Sequence, residues 1–215
     1  MTDPMQPAGV PGPQLDIGTA LSYGWRKFQQ YAGPLIIIVL IAAVVQLVFG
    51  LLRLAADGIV TQLLLAVIGF VVGQIVLLGI YRAALLVTQG VTPEPGRVFN
   101  TDRLGDYIVA SILYSLAVGI GFVLCIIPGI IAAVLFAFYP YFVLDKNMGA
   151  VDALSASSKL VRANTGSAVG LLVVAFLLFI VGAALCGIGL LVTGPVSLLM
   201  TAYGYRVLTN QPVAP

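Results

Sequence analysis

The chain has 215 residues, of which 60% are hydrophobic and only 8% are charged, and its formal net charge is +2. A soluble domain usually carries about 25% charged residues. So few charges cannot cover a water-facing surface, and the long apolar runs predict an all-α, polytopic membrane protein. The basic residues are spread through loops and form no patch, which argues against a nucleic-acid partner.

Residues 1–14 are rich in Pro and Gly and predict a short disordered cytoplasmic tail, with no signal-peptide pattern at its start. Asp16 then stands in the position of a helix cap, and apolar residues recur at helical spacing from Ile17 to Tyr31. This amphipathic helix suits the plane of the bilayer interface; the alternative is that it extends the first span into the cytoplasm. Gly33-Pro34 is expected to break it.

Six apolar segments are predicted to cross the membrane, at about residues 35–54, 59–81, 107–127, 130–144, 168–186 and 190–208. They form one membrane domain, residues 15–209, which is followed by a short tail over residues 210–215. Pro128-Gly129 is predicted as the tight outer turn between the third and fourth spans. Pro140 is expected to kink the short fourth span, because its ring removes a backbone hydrogen bond.

A surface helix is predicted between the fourth and fifth spans, over Met148–Ala163, with Asn147 as its cap. Asp152 near its start and Lys159 and Arg162 near its end complement the helix dipole. This helix is therefore expected to lie on the cytoplasmic surface.

The basic residues predict the orientation of the six spans. Only Arg53 falls on one side of the membrane, and the others fall on the opposite side: Arg26, Lys27, Arg82, Arg97, Arg103, Lys146, Lys159, Arg162 and Arg206. Positive charge is enriched on the cytoplasmic side. Both termini of this multi-pass protein are therefore predicted to be cytoplasmic, in a bacterial inner membrane.

The chain also divides into three units, each a cytoplasmic segment followed by a two-span hairpin. Residues 124–127 correspond to residues 185–188, and the first and third units end in Tyr81-Arg82 and Tyr205-Arg206. All three hairpins have the same orientation, unlike the inverted repeats of alternating-access transporters.

Four stretches of the sequence carry a family resemblance: LDIGTALSYGWRKFQQYAGPLI (15–36), IIPGI (126–130), LDKNMGAVDALSASSKLVRANTG (144–166) and YGYRVLT (203–209). They resemble a poorly characterised group of bacterial integral membrane proteins that look like the membrane domain of some glycerophosphoryl diester phosphodiesterases. The chain departs from that pattern at residues 164–167, where the family often has an aromatic pair. The resemblance implies a fold and a membrane location; because no phosphodiesterase catalytic domain is present, it does not imply hydrolysis.

The predicted contacts with lipid headgroups or a partner are interfacial and basic side chains: Trp25, Arg26, Lys27, Arg82, Lys146, Lys159, Arg162 and Arg206. Arg82 either snorkels to the headgroups or binds an anionic lipid headgroup, and it could form a basic collar with Arg26, Lys27, Lys146, Lys159 and Arg162. Inside the spans, Gln46 and Gln74 are the most polar side chains, and they could pair across the first two helices or contact a substrate.

Two further features stay open at the level of the sequence. Cys125 and Cys186 lie near the outer ends of their spans, where they could form a disulfide or stay as small thiols. Gly69 and Gly73 form a small-residue motif that serves packing within the bundle or self-association.

The sequence contains no His and no Ser/His/Asp set, metal-ligand cluster or phosphate loop, so neither an enzyme nor a cofactor is expected. The first functional hypothesis is a non-catalytic scaffold or accessory subunit that acts through helix packing and contact with lipid. The alternative is a carrier or exporter of small lipophilic molecules, and a third is a regulator that docks through residues 155–162. A polar-lined cavity between spans would favour the carrier.

Overall fold

The computed structural model of the chain describes residues 15–94, 98, 101–185 and 187–215. The predicted tail (1–14), Arg97 and Cys186 lie outside these residues. The helices, in chain order, are α1 (Ile17–Ala55), α2 (Ile59–Thr88), α3 (Leu104–Leu124), α4 (Ile126–Leu135), α5 (Tyr139–Asp145), α6 (Ala150–Ala163), α7 (Thr165–Ala184) and α8 (Leu190–Leu208). No strand occurs within the described ranges, so the predicted all-α class is confirmed.

Among the described residues, five helical stretches are long and apolar enough to cross a membrane: α1, α2, α3, the α4–α5 pair (Ile126–Asp145) and α7. Their outer faces expose large aliphatic and aromatic side chains, for example Leu47 at 62% and Phe176 at 63%. Such extensive apolar surface is incompatible with water and compatible with lipid. The chain is a membrane protein.

The last helix, α8, has the bounds predicted for the sixth span but is less apolar than the other five. It packs against α1, α2 and α7, and Leu199, Met200 and Tyr205 on it are fully buried. A helix enclosed by other helices touches little lipid, so it can carry more polar residues than an outer helix.

The predicted break at Gly33-Pro34 is a kink inside one long helix, and it lies one turn earlier. Tyr31 has φ −119° and ψ 25°, and the helix continues on both sides of it. Pro34 has no N–H to donate and its ring crowds the preceding turn, which displaces the distortion toward the N-terminus. Asp16 caps this helix as predicted, and hydrogen bonds from the hydroxyl and N–H of Thr19 hold the pKa of its carboxyl below the usual value.

The predicted turn at Pro128-Gly129 is wrong, because both residues lie inside α4. The chain turns instead at Cys125, a single extended residue between α3 and α4. Pro128 is in the first helical turn, where a missing N–H costs little. Glycine is needed at both positions where α3 and α4 meet: a Cβ on Gly129 would lie 2.6 Å from the Phe122 ring, and a Cβ on Gly121 would lie 2.8 Å from the Gly129 Cα.

The predicted fourth span is interrupted at Phe136–Phe138, and Pro140 stands in the first turn of the new helix, α5. The interruption leaves backbone groups free, and Ser157 of α6 satisfies two of them. Its Oγ donates to the Leu135 carbonyl oxygen at 2.9 Å and accepts from the Phe138 N–H at 3.1 Å. The surface helix is thereby fixed against the break.

The predicted cap at Asn147 is also wrong, since α6 begins at Ala150 after Gly149. Asn147 has φ 52°, a left-handed conformation that Asn tolerates better than most residues. It therefore belongs to the turn that leaves α5, and Asp152 and Arg162 still lie in the first and last turns of α6.

Candidate functional site

A cavity of about 390 Å³ lies between α2, α3, α5, α7 and α8. Five tyrosines and several other uncharged polar side chains line it: Tyr81, Tyr107, Tyr114, Tyr139, Tyr141, Gln74, Ser111, Ser115, Ser197 and Thr201. Among the described residues of its wall there is no Asp, Glu, Lys or Arg. We call it the tyrosine cavity. Its volume lies in the range of small-molecule sites.

Local sequence explains how the helices place these groups. On α3, Tyr107, Ser111 and Tyr114 follow one another at four- and three-residue spacing, so they share one helix face. On α5, Tyr139 and Tyr141 are brought to the cavity by the interruption before that helix. The break closed by Ser157 is thus part of what builds the site.

The tyrosine rings hold one another in place. The Tyr139 ring centroid lies 5.9 Å from that of Tyr107 and 5.3 Å from that of Tyr114. Tyr81 meets Tyr141 edge to face at 5.5 Å. Aromatic pairs in this range add about 0.5–1.5 kcal/mol beyond the area that they bury. The wall is therefore a connected aromatic surface with hydroxyl groups on it.

Gln74 is the one cavity residue among the described positions with a fully buried polar atom that lacks a partner. The residue is 8% exposed, and its Oε1 makes no hydrogen bond. Leaving a buried acceptor unpaired costs about 1–3 kcal/mol. Because a carboxamide carries both an acceptor and a donor, Gln74 can offer either one to a group that reaches it.

The predicted pairing of Gln46 with Gln74 is wrong. Gln46 lies on the exposed face of α1, whereas Gln74 is buried at the cavity. The Gln74 side chain lies on the face of α2 that lines the cavity with α3 and α5, so it does not meet the exposed face of α1 that carries Gln46.

Beside the tyrosine cavity lies a buried ion pair that joins α5 to α8. Arg206 is 4% exposed, and its guanidinium lies 3.2 Å from the Asp145 carboxylate. Tyr205 and Gln211 donate to the other carboxylate oxygen at 3.0 and 2.9 Å, and Arg206 Nε donates to the Thr88 hydroxyl at 2.8 Å. We call these five residues the Asp145 cluster. It draws together the ends of α2, α5 and α8.

The Asp145 cluster borders the cavity through one ring contact. The Tyr205 ring stacks on Tyr141 with a centroid distance of 5.2 Å and an interplanar angle of 20°. The cavity is therefore closed at this end by stacked rings and by the ion pair behind them.

Two of the predicted headgroup contacts are wrong. Arg206 is buried in the Asp145 cluster. Lys27 is only 3% exposed, and its ammonium group donates hydrogen bonds to the Gln30 side chain and to the main-chain oxygen of Pro215. Helix α8 covers this face of α1, as the 4.7 Å approach of the Tyr23 and Tyr203 rings shows. Neither cation can reach a headgroup in this arrangement.

The other predicted headgroup contacts lie at the surface. Exposed side chains are Trp25, Arg26, Lys146, Lys159 and Arg162. Arg82 is half-buried and donates to the Asp102 carbonyl oxygen at 3.0 Å. Of the basic collar suggested by the sequence, Lys27 alone is buried.

The two glycines of the small-residue motif have different surroundings. A Cβ on Gly69 would lie 3.0 Å from the Phe49 ring, so this residue allows α1 and α2 to pack closely. Gly73 has open space beside it. Cys125 is exposed, and its proposed pairing stays a prediction because Cys186 lies outside the described residues.

The fold and the cavity define an all-helical membrane protein with an uncharged space between its helices that is lined by polar groups. The chain is similar to the uncharacterised protein Rv2560 of Mycobacterium tuberculosis (strain ATCC 25618 / H37Rv), with 28% identity over 98% of this chain and 74% of that protein. It has the same identity and coverage with the uncharacterised protein Mb2590 of Mycobacterium bovis (strain ATCC BAA-935 / AF2122/97). No protein-family model and no solved structure matches the chain.

Proposed function

We propose that this protein is a non-catalytic inner-membrane carrier of small lipophilic molecules and that the tyrosine cavity is its binding site. The observation that carries the proposal is an uncharged polar cavity of about 390 Å³ inside a bundle whose outer surface is apolar. A scaffold that works by packing alone gains nothing from such a space, since an unfilled cavity and an unpaired amide both reduce stability.

The proposal includes the arrangement of the chain in the membrane. Six spans in three hairpins, with both termini in the cytoplasm, agree with the packing of α1 on α2, α3 on α4 and α7 on α8. The ends of α2, α5 and α8 that carry Thr88, Asp145 and Arg206 also meet at one end of the bundle. The resemblance to the phosphodiesterase-associated membrane domain is part of this proposal as well.

A second role is supported by the outer face of α6. Lys159 and Arg162 are exposed there, and Val151 is 68% exposed. A basic, partly apolar helix face suits contact with anionic headgroups or with another membrane protein. This contact would give the carrier an accessory partner at the cytoplasmic surface.

The binding site can be tested by filling it. Ala175 of α7 lines the cavity, and Ala183 of the same helix is exposed outside it. We expect native purification to recover a lipophilic small molecule with the wild-type protein and with Ala183→Leu, but about tenfold less of it with Ala175→Leu. Mass spectrometry of organic extracts measures the amount. Equal recovery from both variants, or no such molecule with the wild type, would contradict the proposal.

A further inference from the structure

We infer that the ligand of the tyrosine cavity is a neutral alcohol with a hydrocarbon body, and that Gln74 binds its hydroxyl group. This inference rests on the proposed function and specifies the class of molecule that is carried. It follows from three properties of the wall: its lack of charge, the one amide left without a partner, and the side on which the wall is open.

The lack of charge excludes an ionised ligand. A charged head in an enclosed site needs an opposite charge or many hydrogen bonds to offset its desolvation. The nearest ion pair, Asp145 with Arg206, is already matched within itself at 3.2 Å. The cavity therefore favours a head that is polar and uncharged.

Four polar groups of the wall have partners inside the protein. The Ser111 hydroxyl donates to the Ile108 carbonyl at 2.9 Å, and the Ser197 hydroxyl donates to the Gly194 carbonyl at 2.8 Å. The hydroxyls of Tyr141 and Thr201 pair with each other at 2.8 Å. These four groups therefore have hydrogen bonds without a ligand.

Gln74 is different, because its Oε1 is buried and has no partner among the described residues. When the carboxamide turns toward the cavity, this acceptor can take a hydrogen bond from a ligand, and the amide nitrogen beside it can donate in return. A hydroxyl group supplies a donor and an acceptor on one small atom. An ether lacks the donor, and an aliphatic amine is charged at neutral pH.

The open side of the cavity explains the hydrocarbon body. Both α3 and α7 contribute to the wall, and in the described structure the backbones of these two helices barely approach each other. At the other end, stacked Tyr141 and Tyr205 close the space. Leu172 and Ala175 of α7 provide apolar wall on the open side. A chain that extends between α3 and α7 would reach the lipid, so the alcohol enters from the bilayer.

The test uses the full chain in phosphatidylcholine nanodiscs and three photoactivatable probes that share a sixteen-carbon diazirine chain: the alcohol, its methyl ether and the carboxylic acid. Peptide mapping by mass spectrometry measures labelling of α2, α3 and α5. We expect the alcohol to label cavity residues about fivefold more than the ether, the difference that one net hydrogen bond provides. The acid is expected to label them least.

The matched variants are Gln74→Met, which keeps the volume and loses the amide, and Gln62→Met, which changes an exposed glutamine on the same helix. Gln74→Met should lose the preference for alcohol over ether, and Gln62→Met should keep it. Without probe, Gln74→Met should unfold at the same or a higher detergent concentration than wild type, because an unpaired amide has been removed.

The outcomes separate this inference from the proposed function. Equal labelling of the cavity by alcohol and ether, or stronger labelling by the acid, overturns the assignment of a neutral alcohol but leaves the cavity a lipophilic site. Preference for the alcohol that survives in Gln74→Met overturns the role of Gln74. No labelling of the cavity by any probe overturns both.

Discussion

Arg206 lies in the last turn of α8, and its contacts in the structure differ from those that its sequence context suggests. Next to Tyr205 at the end of an apolar segment, it has the pattern of an interface anchor. In the folded chain it is buried against Asp145, 61 residues earlier in the sequence. Only the packing of α5 against the end of α8 brings the two together, and no local pattern encodes that contact.

Removing one member of this pair leaves a buried charge without a partner. We expect Arg206→Met to destabilise the protein by about 3–5 kcal/mol, whereas the exposed Arg162→Met should change stability by less than about 0.5 kcal/mol. Unfolding by sodium dodecyl sulfate in mixed micelles measures both. The double variant Asp145→Leu with Arg206→Met should lose less than the sum of the single losses; additive losses would contradict a direct pair.

Two glycines on α3 offer a second test at single positions. A Cβ on Gly121 would lie 2.8 Å from backbone atoms of Gly129, whereas a Cβ on Gly119 would meet nothing within 4 Å. Gly121→Ala should therefore cost about 1–3 kcal/mol by overpacking, and Gly119→Ala should be neutral or stabilising. The same unfolding assay compares them. Equal stability of the two variants would argue against the close crossing of α3 and α4.

Helices are the elements that the sequence predicts best. The bounds of α8 agree with those of the predicted sixth span, and α7 and α3 begin three residues before the predicted spans. Their apolar runs and glycine turns are local signals. The interruption at Phe136–Phe138 was only partly visible: Pro140 indicated a distortion, but the residue that closes it, Ser157, lies in another helix.

The role of Ser157 can be separated from that of its neighbour. Ser157→Ala would leave the Phe138 N–H and the Leu135 carbonyl oxygen without their side-chain partner, so we expect a loss of about 1–3 kcal/mol and weaker binding in the tyrosine cavity. Ser158 donates within its own helix, to Ser155 at 2.8 Å, and Ser158→Ala should have little effect. Hydrogen exchange at Phe138 checks the local effect. Unchanged protection there in Ser157→Ala would rule out the bridge.

At the scale of the whole molecule, the membrane class follows from composition, while the cavity does not. The face shared by Tyr107, Ser111 and Tyr114 was a local signal for it, a polar stripe inside an apolar helix. The other walls come from α2, α5, α7 and α8, and their convergence depends on helix packing across the chain. Gln74 was recognised as polar, but its neighbours could not be inferred from its position.

The proposed orientation makes a prediction for the whole chain. In a background without native cysteines, Asp57→Cys should react with a membrane-impermeant maleimide in intact cells. Thr101→Cys and Asn210→Cys should react only after lysis, because six spans place both in the cytoplasm. Labelling of residue 101 from outside would exclude this topology.

The serine bridge between α6 and the α4–α5 break also has a consequence for biogenesis. Ser157 follows Phe138 by 19 residues, so it is still being synthesised when the segment before it first meets the bilayer. Bare backbone groups are costly in hydrocarbon, and until the serine arrives only water or headgroups can solvate them. We therefore expect the α4–α5 segment to stay near the membrane interface at first, and to reach its final depth in the bilayer only when α6 packs against it. The middle of this protein would then mature only after the helix that follows it has been made.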